Sequence, residues 1–176
     1  MSSKYTYTRL GDAQPDTGEH YNFYATVVDA TLPYKGKSKY VCSVKAMDPT
    51  IYLESKDEDC KSCVSIVIYA KRMEDLPVIS KIGDIIRVHR ATMVTYKDQK
   101  QFNVNVFYNS SWCLFNNDEE VKEKGEEEDE DEDMGVEGEL NKSQFVPYKF
   151  SGKNFSFDKF EVEILSAIRG FSQAMF

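Results

Sequence analysis

Through the middle of the chain, apolar and polar residues alternate with a period of two, the signature of strands with one buried face. Tyr21 to Ala30 is rich in β-branched and aromatic residues, and after the turn-forming string Leu32-Pro33-Tyr34-Lys35-Gly36 a second such segment runs from Lys39 to Asp48. There Val41, Ser43 and Lys45 share one face, and Cys42, Val44 and Ala46 the other. In Cys63 to Lys71, Val64, Ile66, Ile68 and Ala70 oppose Ser65, Val67, Tyr69 and Lys71, which predicts a third strand. Met73 to Lys81 contains Pro77 and predicts a short helical turn. Ile85 to Tyr96 and Lys100 to Tyr108 predict two further strands, joined as a hairpin across Lys97-Asp98-Gln99. The last of them places Phe102, Val104 and Val106 inward and Gln101, Asn103 and Asn105 outward.

The two ends read differently. Residues 1–20 are polar and mixed, interrupted by Gly11, Pro15 and Gly18, and predict a loose N-terminal arm. Near the other end, Asp158-Lys159-Phe160-Glu161 has the spacing of a capping box, and Phe160, Ile164, Ile168, Phe171 and Met175 recur every three or four residues. That pattern predicts an amphipathic helix whose apolar stripe must be covered by the barrel, by a following domain or by a partner.

Five short strands with a brief helical insertion after the third, and no long helices between them, predict an all-β fold: a five-stranded Greek-key barrel of the oligonucleotide/oligosaccharide-binding (OB) type with a C-terminal amphipathic helix. An SH3-like barrel is the competing arrangement for that strand count. The implied organisation is a flexible arm (1–20), an OB domain (21–117), an acidic disordered linker (118–142) and a C-terminal helical segment (143–176).

Charge changes the picture once it is localised. The formal net charge of −8 argues against a polyanionic partner. Between Asp118 and Glu139, however, 14 acidic residues stand against only Lys122 and Lys124, a local charge of −12, while the remaining 16 acidic and 20 basic side chains net +4. The acidic run has too few apolar side chains to offset the entropy of ordering and is expected to be disordered. The body is mildly basic. No apolar run of about 18 residues occurs, and the first residues resemble neither a signal nor a transit peptide, so the expectation is a soluble, intracellular protein without a membrane partner.

The four cysteines are too few and too scattered for a secreted disulfide framework, and they are read as thiols. Cys60-Lys61-Ser62-Cys63 has the spacing of half a zinc site, but a structural site needs a second pair and none is visible, so no metal is expected. With two histidines, no glycine-rich phosphate loop and no distinctive carboxylate pair, neither catalytic residues nor a cofactor are expected, and the chain does not read as an enzyme.

Several strings are more specific than pattern. Phe23-Tyr24-Ala25-Thr26-Val27-Val28-Asp29-Ala30-Thr31, Pro33-Tyr34-Lys35, Asp48-Pro49-Thr50-Ile51-Tyr52-Leu53, Tyr69-Ala70-Lys71-Arg72, Gly83 through Thr92, Gln101-Phe102-Asn103 and Asn105-Val106-Phe107-Tyr108 occur in an order and at a spacing that resemble the N-terminal OB domain of the ciliate telomere end-binding alpha subunits, of the protection-of-telomeres family. The resemblance spans about residues 20–116 and, more weakly, the final helix. It implies a protein that binds single-stranded, G-rich telomeric DNA at chromosome 3′ ends and caps them, in the nucleus at the telomere, with a beta-type subunit or further OB domains as possible partners. Matching positions imply DNA contacts at Tyr34, Lys35, Tyr40, Ser43, Lys45, Tyr96, Phe107 and Tyr108. Two departures stand out: the family's further OB domains are absent from these 176 residues, and Met73 stands where the family carries an aromatic residue.

The chemistry at these positions suits that ligand, because an unpaired strand offers base faces for stacking and a charged backbone for cations to follow. Lys35, Lys45, Lys71 and Arg72 are expected on phosphates. Gln101, Asn103 and Ser43 are expected at base edges. Strict alternation turns Tyr40 and Tyr108 inward, and only their place at strand ends lets them reach a groove. Arg87, His89 and Arg90 read as structural or solvent-exposed. The alternative reading is an OB module for protein contact, its groove occupied by a partner or by the acidic insert. An RNA ligand is a third possibility.

Overall fold

The computed structural model describes residues 5–54, 63–118 and 145–176. The period-two segments become β1 (His20–Ala30), a two-residue β2 (Tyr34–Lys35), β3 (Tyr40–Met47), β4 (Val64–Ala70), β5 (Ile85–Tyr96), β6 (Gln99–Asn105), β7 (Ser111–Phe115) and a two-residue β8 (Lys149–Phe150). β1, β3, β4, β6 and β5 pair in that order and β5 returns to β1, closing the barrel. Every pairing in the ring is antiparallel except that of β4 with β6. This is the predicted five-stranded OB barrel, and its closing order removes the SH3-like alternative. Closure leaves none of the five principal strands as an unpaired edge.

Alternation is cleanest in β4, where Val64, Ile66, Ile68 and Ala70 are buried and the residues between them are half-exposed. With Phe23, Ala25 and Val27 of β1, Cys42 and Val44 of β3, Val88 of β5 and Phe102 and Val104 of β6, they form the barrel interior. In β1 and the first half of β5 the alternation vanishes, because residues of both faces are buried from Phe23 to Val27 and from Ile85 to His89. β7 extends the sheet beside β5, pairing from Ile85↔Phe115 to His89↔Ser111, and the outer side of these strands lies under the helix α2 (Glu161–Met175).

Several expectations require correction. Residues 5–19 are not a loose arm: Leu10 and Ala13 are in the core, and the Leu10 amide is capped by Asp48 Oδ2 at 2.8 Å. Two apolar side chains at the barrel end outweigh the local Gly and Pro content. The helical turn expected over Met73 to Lys81 is only a 3-10 turn at Met73–Asp75. β6 stops at Asn105, and Val106–Tyr108 form a 3-10 turn closed by left-handed Asn109, φ 76°. A short helix, α1 (Pro49–Glu54), follows β3, with Asp48 Oδ1 accepting from the amides of Thr50 (3.0 Å) and Ile51 (3.2 Å). The acidic run expected to be disordered lies, beyond Asp118, outside the described residues, as do Cys60, Lys61 and Ser62 of the half-site string.

The helix α2 forms where the capping box predicts, and its stripe lies on the barrel with a changed register. Glu161, Leu165, Ile168 and Ser172 are buried, while Phe160 is 38% exposed. Buried Glu161 is the anchor. Its Oε1 accepts from Arg87 Nη1 at 3.0 Å, from the Tyr24 hydroxyl at 2.8 Å and from the Tyr7 hydroxyl, and its Oε2 accepts from the Asp158 amide at 2.7 Å. The last bond is the reach-back half of a capping box. Because Tyr7 gives its proton to Glu161, His89 Nε2, 2.7 Å away, is the donor to the Tyr7 oxygen. Burial, followed by the hydrogen bond to Glu161, pushes the Tyr7 phenol well above its ordinary range. Arg87 Nη1 also donates to Ser156 O at 2.7 Å, and Nη2 to Cys113 Sγ at 3.2 Å. Arg87 is therefore a buried, fully engaged cation, and the expectation of a structural residue is met while exposure is not.

Candidate nucleic-acid interface

On the other side of the barrel, among the described residues, no such cover lies over the outer faces of β3, β4 and β6. Register across the strands aligns their outward residues in three rows. One runs Tyr34, Val41, Tyr69, Asn105 from β2 through β3 and β4 to β6. The next runs Ser43, Val67, Asn103, Thr92, and the third Lys45, Ser65, Gln101, Val94, both ending on β5. With neighbouring strands about 4.8 Å apart, each row is a polar and apolar strip crossing the sheet. Gln101 Nε2 donates to Asn103 Oδ1 at 2.8 Å, which ties the two amides together and leaves the Asn103 NH₂ and the Gln101 carbonyl as the outward donor and acceptor.

Two loops flank this sheet. The first, residues 31–39, contains β2 and folds back on β3. The Gly36 amide donates to Lys39 O at 2.8 Å, and a Cβ at this position would lie 3.0 Å from that oxygen and 3.3 Å from Val41 Cγ2, so glycine lets the loop close against the sheet. The second is the β5–β6 hairpin, whose Lys97 (φ 49°) and Asp98 (φ 62°) both take the left-handed conformation of a tight two-residue turn. The outer face of these strands and these two loops are where OB folds take oligonucleotides.

Rings and cations meet between the loops. Tyr34 is 46% exposed and Tyr96 56%, one on each flank. Burial raises the Tyr69 phenol above its ordinary range, and the Tyr34 and Tyr96 phenols add to the effect. Lys39 Nζ stands 4.4 Å from the centroid of the Phe107 ring and 5.7 Å from that of Tyr69, and Lys71 Nζ stands 5.8 Å from Phe107. Lys35 and Lys45 are exposed.

Of the residues the sequence nominated, Tyr34, Lys35, Ser43, Lys45, Lys71, Tyr96, Gln101, Asn103 and Phe107 thus belong to one face and its flanks. Tyr40 is half-buried and packs against the core, the inward placement that alternation gives it. Tyr108 escapes the inward side because the 3-10 turn breaks strand parity, and it is 79% exposed at the end of β6. Arg72 is committed elsewhere: its guanidinium forks onto Asp75 (Nε 3.0 Å, Nη2 2.9 Å) with Glu74 at 3.4 Å. That hydrogen-bonded pairing, with the negative charges beside it, holds the group even more firmly in its charged form. Lys39 and Tyr69 were not nominated. The period-two pattern had already put Tyr69 on the outward face of its strand, and that signal was sufficient to find it.

Comparison with known proteins points the same way. The profile of the family described as telomeric single-stranded DNA binding POT1/CDC13 matches residues 1–176. A telomere-binding protein subunit alpha from Stylonychia mytilus is 45% identical over 172 residues, which are 96% of this chain and 33% of the relative. Its namesake from Sterkiella nova is 42% identical over 98% of this chain and 34% of its own length. The chain therefore spans about a third of the length of these curated relatives. A solved complex of Pot1 (protection of telomere) with single-stranded DNA superposes with a TM-score of 0.64 at 17% identity, covering 98% of this chain and 88% of that one, which shows the shared fold. Fission yeast Pot1 with single-stranded DNA gives the same score at 16% identity, over 99% and 50%.

Proposed function

Because the chain belongs to the family of telomeric single-stranded DNA-binding POT1/CDC13 proteins, we propose that it binds the single-stranded, G-rich DNA of chromosome 3′ ends in the groove over β3, β4 and β6, and helps to cap those ends. The observation that carries this reading is the meeting of exposed rings and ammonium groups on a barrel face that α2 and the other described elements leave uncovered.

The strand lies between the two loops with its bases unstacked. Tyr34, Tyr96, Phe107 and Tyr108 offer ring faces, each stacked base contributing about 1–3 kcal/mol. Tyr40 takes part from the end of β3, through the edge it leaves outside the core. Lys35, Lys45 and Lys71 follow the phosphates, and binding releases counterions, so affinity falls as salt rises. Arg72 joins them once it leaves Asp75. Ser43 and the tied Gln101–Asn103 amides read base edges, where a guanine presents both donors and acceptors.

The domain is a binding module rather than an enzyme, it acts in the nucleus at the telomere, and its partners are the DNA and a beta-type subunit or further OB domains of a longer assembly. Fluorescence anisotropy with a labelled G-rich telomeric oligonucleotide at low salt tests the reading. Saturable binding at or below micromolar protein is expected. A folded protein that leaves the probe free at that concentration overturns it, and equal competition by the ribose version of the probe moves the reading to RNA.

A further inference from the structure

β5 changes partners at Arg90. Up to His89 it pairs with β7, and from Thr92 with β6. Between the two it carries a bulge: Tyr21 pairs with Ala91 and Phe23 with Val88, so His89 and Arg90 together stand opposite Asn22. Arg90 is left-handed there, φ 60°, a conformation that costs a residue with a Cβ and that glycine takes freely. Asn22 secures it, its Oδ1 accepting from the Arg90 amide at 2.9 Å, and the Ser110 hydroxyl donates to the Arg90 carbonyl at 2.8 Å. The side chain held in this costly place has work to do. Nη1 donates to Asn109 O at 3.2 Å and Nη2 to the Tyr5 hydroxyl at 2.9 Å, with the guanidinium carbon 5.2 Å from the centroid of the Tyr5 ring. Tyr5 in turn stacks on His89, 3.9 Å between centroids. Arg90 therefore grips the connection between β6 and β7 at two points, Asn109 by its guanidinium and Ser110 by its carbonyl. The residue just before them is Tyr108, whose 79% exposure leaves its placement to the backbone of that turn.

We infer that Arg90 is a positioning residue for DNA binding: braced against Tyr5, it pins the turn after β6 and so presents Tyr108 as a preformed ring face. This rests on the single-stranded DNA reading, which gives Tyr108 a base to stack on, and adds to it a residue outside the groove. A ring on a loose turn must be ordered when the base arrives, and the entropy lost is subtracted from the gain of stacking. With the turn fixed at Asn109 and Ser110, most of that loss has already occurred on folding. Both Nη groups are engaged with neutral oxygens of the protein, so Arg90 acts through Tyr108 and not on a phosphate of its own. The bulge supplies the geometry, since an extra residue in one strand re-aims the side chain it carries.

A double-mutant cycle separates positioning from general support of the fold. Anisotropy titrations of a ten-nucleotide deoxyguanosine and deoxythymidine probe, at several salt concentrations between about 50 and 200 mM, measure affinity and its salt slope. Arg90→Gly removes the brace while its backbone takes the left-handed conformation freely, so thermal melts are expected to find it folded. It is expected to bind about fivefold more weakly than wild type with an unchanged slope. Tyr108→Ala weakens binding by itself, and in that background Arg90→Gly is expected to change affinity by less than about twofold, because there is no ring left to place. Where Arg90→Gly melts below the assay temperature, Arg90→Lys, which keeps the charge but cannot fork onto both Asn109 and Tyr5, carries the same cycle with an expected loss of about threefold. Three results overturn the assignment while wild-type binding keeps the wider reading standing: equal losses in both backgrounds, a loss below about twofold with Tyr108 present, or a slope reduced by about 0.7, the mark of one phosphate contact. A wild-type protein that does not bind the probe overturns both.

Discussion

The barrel has two outer surfaces built by the same alternation, and they have opposite fates. Over β1, β5 and β7 the outward residues Tyr24 and Arg87 are sealed beneath α2 and the N-terminal segment, and the charged groups there answer one another: Arg87 is met by Glu161, Ser156 and Cys113, and Glu161 by four donors, while the buried Thr26 hydroxyl stays without a hydrogen-bond partner among the described residues. Over β3, β4 and β6 the outward Ser43, Lys45, Tyr69 and Asn103 lie on a face that no described residue covers in this way, and the nearby Lys39 and Lys71 rest on rings instead of carboxylates. A covered surface spends its charges on holding the fold, and an uncovered one keeps them for a ligand. Composition alone does not separate the two, since both contain tyrosines and basic residues. The helix laid over one of them does.

This contrast can be broken most severely at Glu161. Glu161→Leu leaves Arg87 buried without its carboxylate, and removing one partner of such a pair costs about 3–5 kcal/mol. Urea unfolding should show that loss, while DNA affinity, measured where the variant is still folded, should change little. A second test of the covered side uses pH. Burial is the main cause that pushes the Cys113 thiol from its usual 9.0 up to about 11. Above pH 9 the unfolded chain releases this proton while the folded one retains it, so stability falls as pH rises toward 11. Unfolding titrations should show Cys113→Ala relieving roughly 1–3 kcal/mol of that decline.

The open side should behave in reverse. Tyr96→Ala is expected to weaken binding of a G-rich strand by about 1–3 kcal/mol, read by anisotropy, and to change the unfolding free energy by less than about 0.5 kcal/mol. Smallest is the effect of releasing Arg72. Asp75→Asn removes the charge that holds its guanidinium, and at low salt binding should tighten by roughly two- to fivefold, vanishing at high salt. No change at low salt would show that Arg72 has no part in the groove.

Which parts of this molecule were readable beforehand follows from where the two surfaces come from. Segments with one solvated face carried a clear period of two, so β3, β4, the start of β6 and the hairpin at Lys97 and Asp98 were found close to their true limits, while β6 ends three residues before the expected Tyr108. β7 was missed because Ser111-Trp112-Cys113-Leu114-Phe115 is covered on both sides and has no alternation to read. α1 was missed although Asp48-Pro49 is a cap followed by a proline at the first helical position, a signal that was present and outweighed by the strand before it. The seating of residues 5–19 depends on Leu10 meeting Asp48 across 38 positions, which no local pattern encodes. In the groove, strand parity located most of the nominated residues, while Tyr108 was freed and Arg72 diverted by turns whose geometry the sequence did not announce.

Barrel closure also sets the order in which this chain can acquire structure. β1 meets β3 as soon as residue 47 is available, but its other neighbour, β5, pairs His20 with Thr92, and β4 finds β6 only when Ser65 reaches Gln101. A nascent chain that ends near Ala70 is therefore a three-stranded meander with two unsatisfied borders, and it stays so until some thirty further residues emerge. Folding should be slow for a protein of this size, and the period of greatest exposure to self-association falls during synthesis, before the seam between first and fourth barrel strands is sewn.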